Sequence, residues 1–134
     1  MLTLVRIAFA LLFLADLVDA AMAQSAVPTD NWSVSITTGG TFQQVQPRND
    51  ARRSLTIQNN NASDSCYVNI DGSVVAGNTA ASSVTTRGGT VTAAKASVLL
   101  SAGQSYTRYY PYVPSGPIVA TCATTASSLY VDMQ

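Results

Sequence analysis

The sequence predicts an all-β protein, a single antiparallel β-sandwich of about seven to nine short strands. Apolar and polar residues alternate with a period of two in one segment after another, which buries one face of each strand. Gly, Pro, Asn and Asp separate these segments at short intervals, as they do in turns. No amphipathic helical pattern follows the N-terminal stretch, so no crossover helices are available for parallel strands.

The strands are predicted in chain order from their alternation and their turns. Gly39 and Gly40 form a turn into residues 41–46, an Asn-rich loop follows residue 58, and a Pro-rich link occupies residues 111–117. An aromatic-rich strand covers residues 105–110. The residues expected to face the core are Trp32, Val34, Ile36, Leu55, Ile57, Cys66, Val68, Ile70, Val98, Leu100, Ile118, Ala120, Cys122, Leu129, Val131 and Met133.

The topology of the sandwich stays open between a jelly roll and an immunoglobulin-like arrangement. A true immunoglobulin domain is not supported, because Trp32 precedes both cysteines instead of lying between them. Residues 72–94 are rich in Ser, Thr, Ala and Gly and have few large apolar side chains. They form either a hairpin around residues 87–89 or a mobile surface loop. In both cases we expect this segment to contribute little to the core and to supply variable contacts.

The first 23 residues have the layout of a secretory signal peptide. Arg6 supplies a positive charge, residues 7–15 form a short apolar run, and Ala21 and Ala23 occupy the positions that a signal peptidase recognises. We therefore expect a mature chain that begins at Gln24, one domain over residues 24–134, and a secreted or periplasmic location. The alternative is a retained N-terminal anchoring helix.

The sequence contains no His and no Glu, which removes the usual catalytic bases and His-ligated metal sites. Asp50, Asp64 and Asp71 lie in turn-like contexts, where Asp is expected for local backbone reasons rather than for acid–base or calcium chemistry. Basic residues cluster only at Arg48, Arg52 and Arg53, so we expect no nucleic-acid partner. The sequence thus predicts a protein that is not an enzyme and that has no metal and no cofactor.

Cys66 and Cys122 are the two cysteines of the chain, and each is in phase with the inward residues of its strand. In an exported protein, two inward cysteines predict one disulfide bond in the core. The alternative is a pair of buried free thiols that do not meet.

Four of the six tyrosines lie close together with an arginine, in what we call the tyrosine strip: Tyr106, Arg108, Tyr109, Tyr110 and Tyr112. Aromatic residues and Arg are enriched at contact surfaces, so the strip is the candidate binding site for a sugar or a protein. Alternation places Tyr106 and Arg108 on one face of the strand and Tyr109 on the other. The alternative is that about half of these side chains belong to the core or its rim.

Three stretches resemble small β-sandwich proteins encoded among the structural genes of tailed phages and prophages, including head-decoration and fibre-associated modules. They are residues 52–60 (RRSLTIQNN) before CYVN at 66–69, residues 100–106 (LSAGQSY), and residues 113–118 (VPSGPI) before ATCA at 120–123. The resemblance implies a structural role without catalysis and carries no catalytic residues over. The signal peptide departs from this pattern, since phage capsid parts assemble in the cytoplasm.

Two functions follow from these observations. The first is an exported structural or accessory protein that associates with a larger assembly, virion-like in origin. The second is a secreted or periplasmic module that recognises a glycan or another envelope component through the tyrosine strip. Self-association into a homo-oligomer is compatible with both.

Overall fold

The computed structural model describes residues 30–134, and the predicted signal peptide lies outside them. Within the described residues the protein is all-β, as predicted, and its strands pair antiparallel. No helix in this range has the length and apolar character to span a lipid bilayer. The strands are β1 (Asp30–Ile36), β2 (Gln43–Gln46), β3 (Ser54–Asn59), β4 (Cys66–Asn69), β5 (Ser83–Thr86), β6 (Gly89–Thr92), β7 (Val98–Leu100), β8 (Ser105–Tyr109), β9 (Ile118–Cys122) and β10 (Ser127–Met133).

Two four-stranded sheets form the sandwich, in the orders β1-β10-β3-β8 and β2-β9-β4-β7, and β5 and β6 pair as a separate hairpin. With the hairpin set aside, the chain changes sheet at every connection except the one from β4 to β7. Eight antiparallel strands wound between two sheets in this order form a jelly roll. The strand order therefore settles the topology that the sequence pattern left open.

The core between the sheets consists of residues that alternation predicts, together with Val45 of β2, which was not among them. In β10 buried and half-buried positions alternate along the whole strand, and β3 shows the same pattern. Trp32 and Val34 are half-buried because β1 is an edge strand, whereas Ile36 at its end is fully buried. The buried members of this core are Ile36, Val45, Leu55, Ile57, Cys66, Val68, Leu100, Ile118, Ala120, Cys122, Leu129, Val131 and Met133.

A second, smaller core lies on the other face of the β2-β9-β4-β7 sheet. Phe42, Val74, Val84, Ala93 and Val119 are buried together there, with Tyr67 packed against them. The expectation that residues 72–94 contribute little to the core was therefore wrong. This segment forms a hairpin and covers the sheet, so β9 is buried at all five positions.

The disulfide bond joins the two strands at the centre of that sheet. Cys66 in β4 and Cys122 in β9 are directly paired in the antiparallel register, and their Cα atoms are 4.0 Å apart. Both side chains are buried in the core. The predicted pairing is thus confirmed, and it links two strands that are 56 residues apart in the chain.

The Asn-rich loop after β3 is held by a buried amide. Asn59 is fully buried, and its Nδ2 donates hydrogen bonds to the carbonyl oxygens of Asp64 and Leu100 at 2.7 and 3.0 Å. Its Oδ1 accepts a hydrogen bond from the backbone N–H of Asn61. Because a buried amide is costly unless it is hydrogen-bonded, Asn59 fixes the path of this loop.

Candidate functional site

Strand β8 carries the first part of the tyrosine strip and lies at the edge of its sheet. In the register with β3, Tyr106 pairs with Ile57 and Arg108 pairs with Leu55. Directly paired residues point to the same face of a sheet, so both side chains lie on the inner face. Tyr109 pairs with Ser54 and points to the outer face.

Tyr106 is half-buried against the core, and Arg108 is exposed beside it. The Nε of Arg108 donates a hydrogen bond to the Tyr106 hydroxyl, and its guanidinium carbon lies 5.1 Å from the centre of the tyrosine ring. A guanidinium at this distance from an aromatic ring is attracted by the ring's negative face. Tyr106 therefore holds Arg108 in one orientation at the open edge of the sandwich.

The other three tyrosines of the strip, Tyr109, Tyr110 and Tyr112, lie in different surroundings. Tyr109 is exposed on the outer face, and Tyr110 lies under Arg53, whose guanidinium carbon is 4.9 Å from the ring centre. Tyr112 is the most exposed of them, at 79%. Its backbone N–H donates a hydrogen bond to the Tyr109 carbonyl at 3.0 Å, which turns the chain back toward Arg108.

Tyr106, Arg108 and Tyr112 line a cleft of about 370 Å³, which we call the tyrosine cleft. This volume lies within the range of about 300–1,000 Å³ that is usual for small-molecule sites. The remaining walls are the end of β4 and the Pro-rich link, formed by Ile70, Asp71, Val113 and Pro114. The cleft therefore combines aromatic rings, a guanidinium and a carboxylate on one concave surface.

A second cleft, of about 590 Å³, lies between the turn after β4 and the tip of the β5–β6 hairpin. We call it the hairpin cleft. It is lined by polar residues and glycines and by no aromatic ring: Asp71, Gly72, Ser73, Thr85, Thr86, Arg87 and Gly88. Asp71 belongs to both clefts, so the two adjoin at this residue.

A network of hydrogen bonds positions the Asp71 carboxylate. Its Oδ1 accepts from the backbone N–H of Ser73 at 2.9 Å, from Ser73 Oγ at 2.6 Å and from Asn69 Nδ2 at 2.9 Å. Partial burial raises the pKa of Asp71, but the hydrogen bonds from Ser73 and Asn69 lower it by more, so the pKa lies below its ordinary value. Asp71 is therefore a charged acceptor at neutral pH.

Asn69 is the buried residue behind this network. It is 1% exposed, and its Nδ2 also lies 2.8 Å from the Ala96 carbonyl, on the segment that leads into β7. Its Oδ1 accepts from the backbone N–H of Gly72 at 3.1 Å. Asn69 thus ties the turn that carries Asp71 to the body of the sandwich.

Arg52 supports the opposite wall of the tyrosine cleft. It is buried, and its guanidinium donates hydrogen bonds to the carbonyl oxygens of Pro114 and, at 3.2 Å, Pro47. Its Nε lies 3.2 Å from the sulfur of Met133 in β10. Burial lowers the pKa of Arg52, although a guanidinium remains protonated in proteins. This side chain therefore fixes the Pro-rich link against the core.

Sequence reasoning found three of the residues that line the tyrosine cleft and missed the others. The strip supplies Tyr106, Arg108 and Tyr112, while Tyr109 and Tyr110 lie outside the cleft. Asp71 was interpreted as a turn residue, which it also is, since it bonds the backbone two residues on. Its place in the cleft follows from the packing of distant segments, and no local pattern indicates it.

The carboxylates considered as a possible acid–base or calcium site do not share a cleft. Asp50 forms an exposed ion pair with Arg48, at 3.1 Å between Oδ1 and Nε. Asp64 accepts hydrogen bonds from the hydroxyls of Thr124 and Ser127. In the part of the chain that the structure describes, no three His, Cys, Asp or Glu residues are grouped to hold a metal ion.

No protein-family model matches the sequence, and no curated protein matches it. Among solved structures, the stem and receptor-binding domain of the spike protein P1 from bacteriophage PM2 is similar, with a TM-score of 0.44 and 9% sequence identity. The alignment covers 76% of this chain and 31% of that one, so this chain spans about a third of the length of the spike fragment. At this level of similarity neither the topology nor the function is inferred from the match.

Proposed function

We propose that this protein is an exported, non-catalytic binding module that associates with a larger assembly, in the manner of a phage-virion accessory protein. One observation carries the proposal: the tyrosine cleft brings Tyr106, Tyr112, Arg108 and Asp71 together at the edge of a disulfide-linked sandwich. Exposed aromatic rings and a positioned guanidinium on a rigid scaffold are features of binding surfaces.

The chemistry of the cleft supports binding rather than catalysis. General acid–base catalysis near neutral pH needs a group whose pKa is close to the working pH. The sequence offers no His and no Glu for this purpose. Asp71 is the carboxylate in the lining of both clefts, and its hydrogen bonds lower its pKa, which makes it a poor base and a good acceptor.

Two features support a place outside the cytoplasm. A buried disulfide forms and persists in oxidising compartments, and the predicted signal peptide at residues 1–23 would direct the chain there. Jelly rolls include viral capsid and lectin domains, which agrees with an assembly or recognition role. A fold alone does not assign a function, so the proposal depends on the cleft.

A second candidate function is recognition of a glycan or another envelope component, and the lining of the cleft favours it. Tyr112 offers an exposed ring, Arg108 offers donors and Asp71 offers an acceptor, all within one concavity. Sites of this kind use a few convergent polar groups to orient a small ligand.

The proposal is tested by following the native protein and two variants through fractionation of the cells that encode it and of any particles they release. Tyr112→Ala removes a ring of the cleft, whereas Tyr109→Ala removes a similarly exposed ring from the outer face. We expect the wild type and Tyr109→Ala to sediment with envelopes or particles and Tyr112→Ala to be released. Equal sedimentation of both variants, or a free monomer in the cytosol, would contradict the proposal.

A further inference from the structure

The tyrosine cleft and the hairpin cleft adjoin at Asp71, because this residue lines both. The turn that carries Asp71 is fixed from below by Asn69 and by Val74, which is 2% exposed in the second core. A ligand seated against Tyr112 therefore reaches the hairpin cleft by passing over this hydrogen-bonded turn.

Arg108 presents unused donors to the tyrosine cleft. Its Nε is engaged with the Tyr106 hydroxyl, while its two Nη atoms have no partner among the described residues. The ion pair found within residues 30–134 joins Arg48 and Asp50, so Arg108 is not neutralised by a carboxylate there. The guanidinium is thus held in place by its Nε, and its two Nη atoms are free to donate hydrogen bonds to oxygen acceptors.

Asp71 presents an unused acceptor to the same cleft. All three of its side-chain hydrogen bonds end on Oδ1, and no described residue donates to Oδ2. Arg108 and Asp71 share the cleft, yet they do not form an ion pair with each other. The cleft therefore offers one charged donor and one charged acceptor that remain available to a ligand.

A hydroxyl-rich ligand matches this pair. A hydroxyl group both donates and accepts, so neighbouring hydroxyls of a sugar can accept from Arg108 and donate to Asp71. The hairpin cleft adds a second guanidinium, that of Arg87, whose N–H groups can also donate to sugar hydroxyls. The apolar face of a sugar ring can pack on Tyr112, which is exposed for this contact.

We infer that the two clefts form one extended groove for an oligosaccharide, with one sugar unit at Tyr112, hydroxyls on Asp71 at the centre, and further units in the hairpin cleft. Ser73, Thr85 and Thr86 supply hydroxyls to that second cleft, which suits sugar units that are bound without stacking. This inference rests on the proposed binding function and assigns its ligand class and its extent.

The test uses the chain from Gln24, folded with its disulfide. A microarray of neutral and uronic-acid oligosaccharides of one to six units identifies a series, which is then titrated by calorimetry. We expect affinity to rise by about tenfold or more from the single sugar to the four-unit chain.

Asp71→Asn and Tyr112→Ala should weaken binding at every length, and Tyr109→Ala should leave it unchanged. Thr85→Ala should weaken binding of the long chain alone, because Thr85 lines only the hairpin cleft.

Circular dichroism and urea unfolding of each variant separate lost binding from lost folding. Affinity that does not depend on chain length would overturn the extended groove while leaving the binding function in place. Binding to no oligosaccharide on the array would overturn the ligand class. Failure of the proposed function itself appears separately, as unchanged sedimentation of Tyr112→Ala in the fractionation experiment.

Discussion

Arg52 is 5% exposed and meets backbone carbonyls rather than a carboxylate, with donors to Pro47, Pro114 and, at 3.5 Å, Gly116. Its neighbour Arg53 is exposed and stacks on Tyr110. The two arginines are identical in chemistry and adjacent in sequence, yet only Arg52 joins the Pro-rich link to the core. At the residue scale, burial decides which polar side chain is structural.

We predict that Arg52→Ala lowers the free energy of unfolding by about 3 kcal/mol, because the carbonyl oxygens lose their donor and a cavity remains. Arg53→Ala should cost less than about 1 kcal/mol, the size of an exposed cation–π contact. Urea unfolding monitored by fluorescence measures both. Equal losses for the two variants would show that the carbonyl contacts of Arg52 contribute little.

Asp71 leads to a prediction about pH. Its pKa is lower in the folded protein than in the unfolded chain, where it is about 3.9. The stabilisation by its carboxylate is therefore fully present above that unfolded value and is lost as the pH falls through the lower folded pKa. We expect wild type to be more stable than Asp71→Asn at neutral pH, with the difference shrinking as the pH falls below the unfolded pKa and through the lower folded pKa.

Urea unfolding of the two proteins across this pH range measures the difference. Asn occupies the same volume as Asp and keeps an oxygen acceptor, so the comparison isolates the charge. A difference that stays constant with pH would mean that the hydrogen bonds from Ser73 and Asn69 do not favour the charged form.

At the scale of elements, the β5–β6 hairpin is a third layer on the sandwich. Val74 precedes it and is buried, while the next residue, Val75, is 59% exposed. Phe42, immediately before β2, lies in the same core, so this core connects the hairpin layer to the β2 edge of the sheet. The hairpin is thereby fixed in the position where its tip forms one wall of the hairpin cleft.

We predict that Val74→Ala lowers the free energy of unfolding by about 2 kcal/mol, from lost burial and the cavity that it leaves. Val75→Ala removes the same atoms from an exposed position and should change stability by less than about 0.5 kcal/mol. Thermal and urea unfolding provide the measurement. Similar small effects for both valines would mean that the hairpin layer is not packed on the sheet.

For the whole molecule, the disulfide between β4 and β9 is the covalent link within the sandwich. It closes a segment of 56 residues, for which the chain-entropy model gives about 4 kcal/mol of stabilisation. Reduction should therefore lower the melting temperature, while the sheets persist because the paired strands and core remain. Circular dichroism with and without reductant tests this, and the double variant Cys66→Ala/Cys122→Ala should show no response to reductant.

The strands and their inward faces could be predicted because alternation is a local property. In β10, Leu129, Val131 and Met133 face the core at every second position, as the pattern indicates. The disulfide was predictable for the same reason, since Cys66 and Cys122 are in phase with buried neighbours. Alternation also predicts that Tyr106 and Arg108 lie on one face of β8 and Tyr109 on the other. The structure has this arrangement.

The second core could not be predicted, because alternation describes neighbouring residues within one strand, whereas this core joins segments that are distant in sequence. Val119 lies out of phase with the inward residues of β9, so alternation alone assigns it to solvent. Its burial depends on Val74 and Val84, which reach it from a different part of the chain. The small side chains of residues 72–94 suggested a hairpin or a loop that contributes little to the core, whereas Val74, Val84 and Ala93 are buried against the sheet.

The sequence by itself determined the fold class, the inward residues of the sandwich and the pairing of its cysteines, since each depends on periodicity within a single strand. Tertiary structure alone decided the jelly-roll order, the third layer and the meeting of the two clefts at Asp71. The reason is physical: a cleft is formed where segments distant in sequence meet, and their meeting depends on how two sheets twist and pack. The residues that line it carry no shared local pattern, so only the packed molecule brings Asp71 to Tyr112 and Arg108.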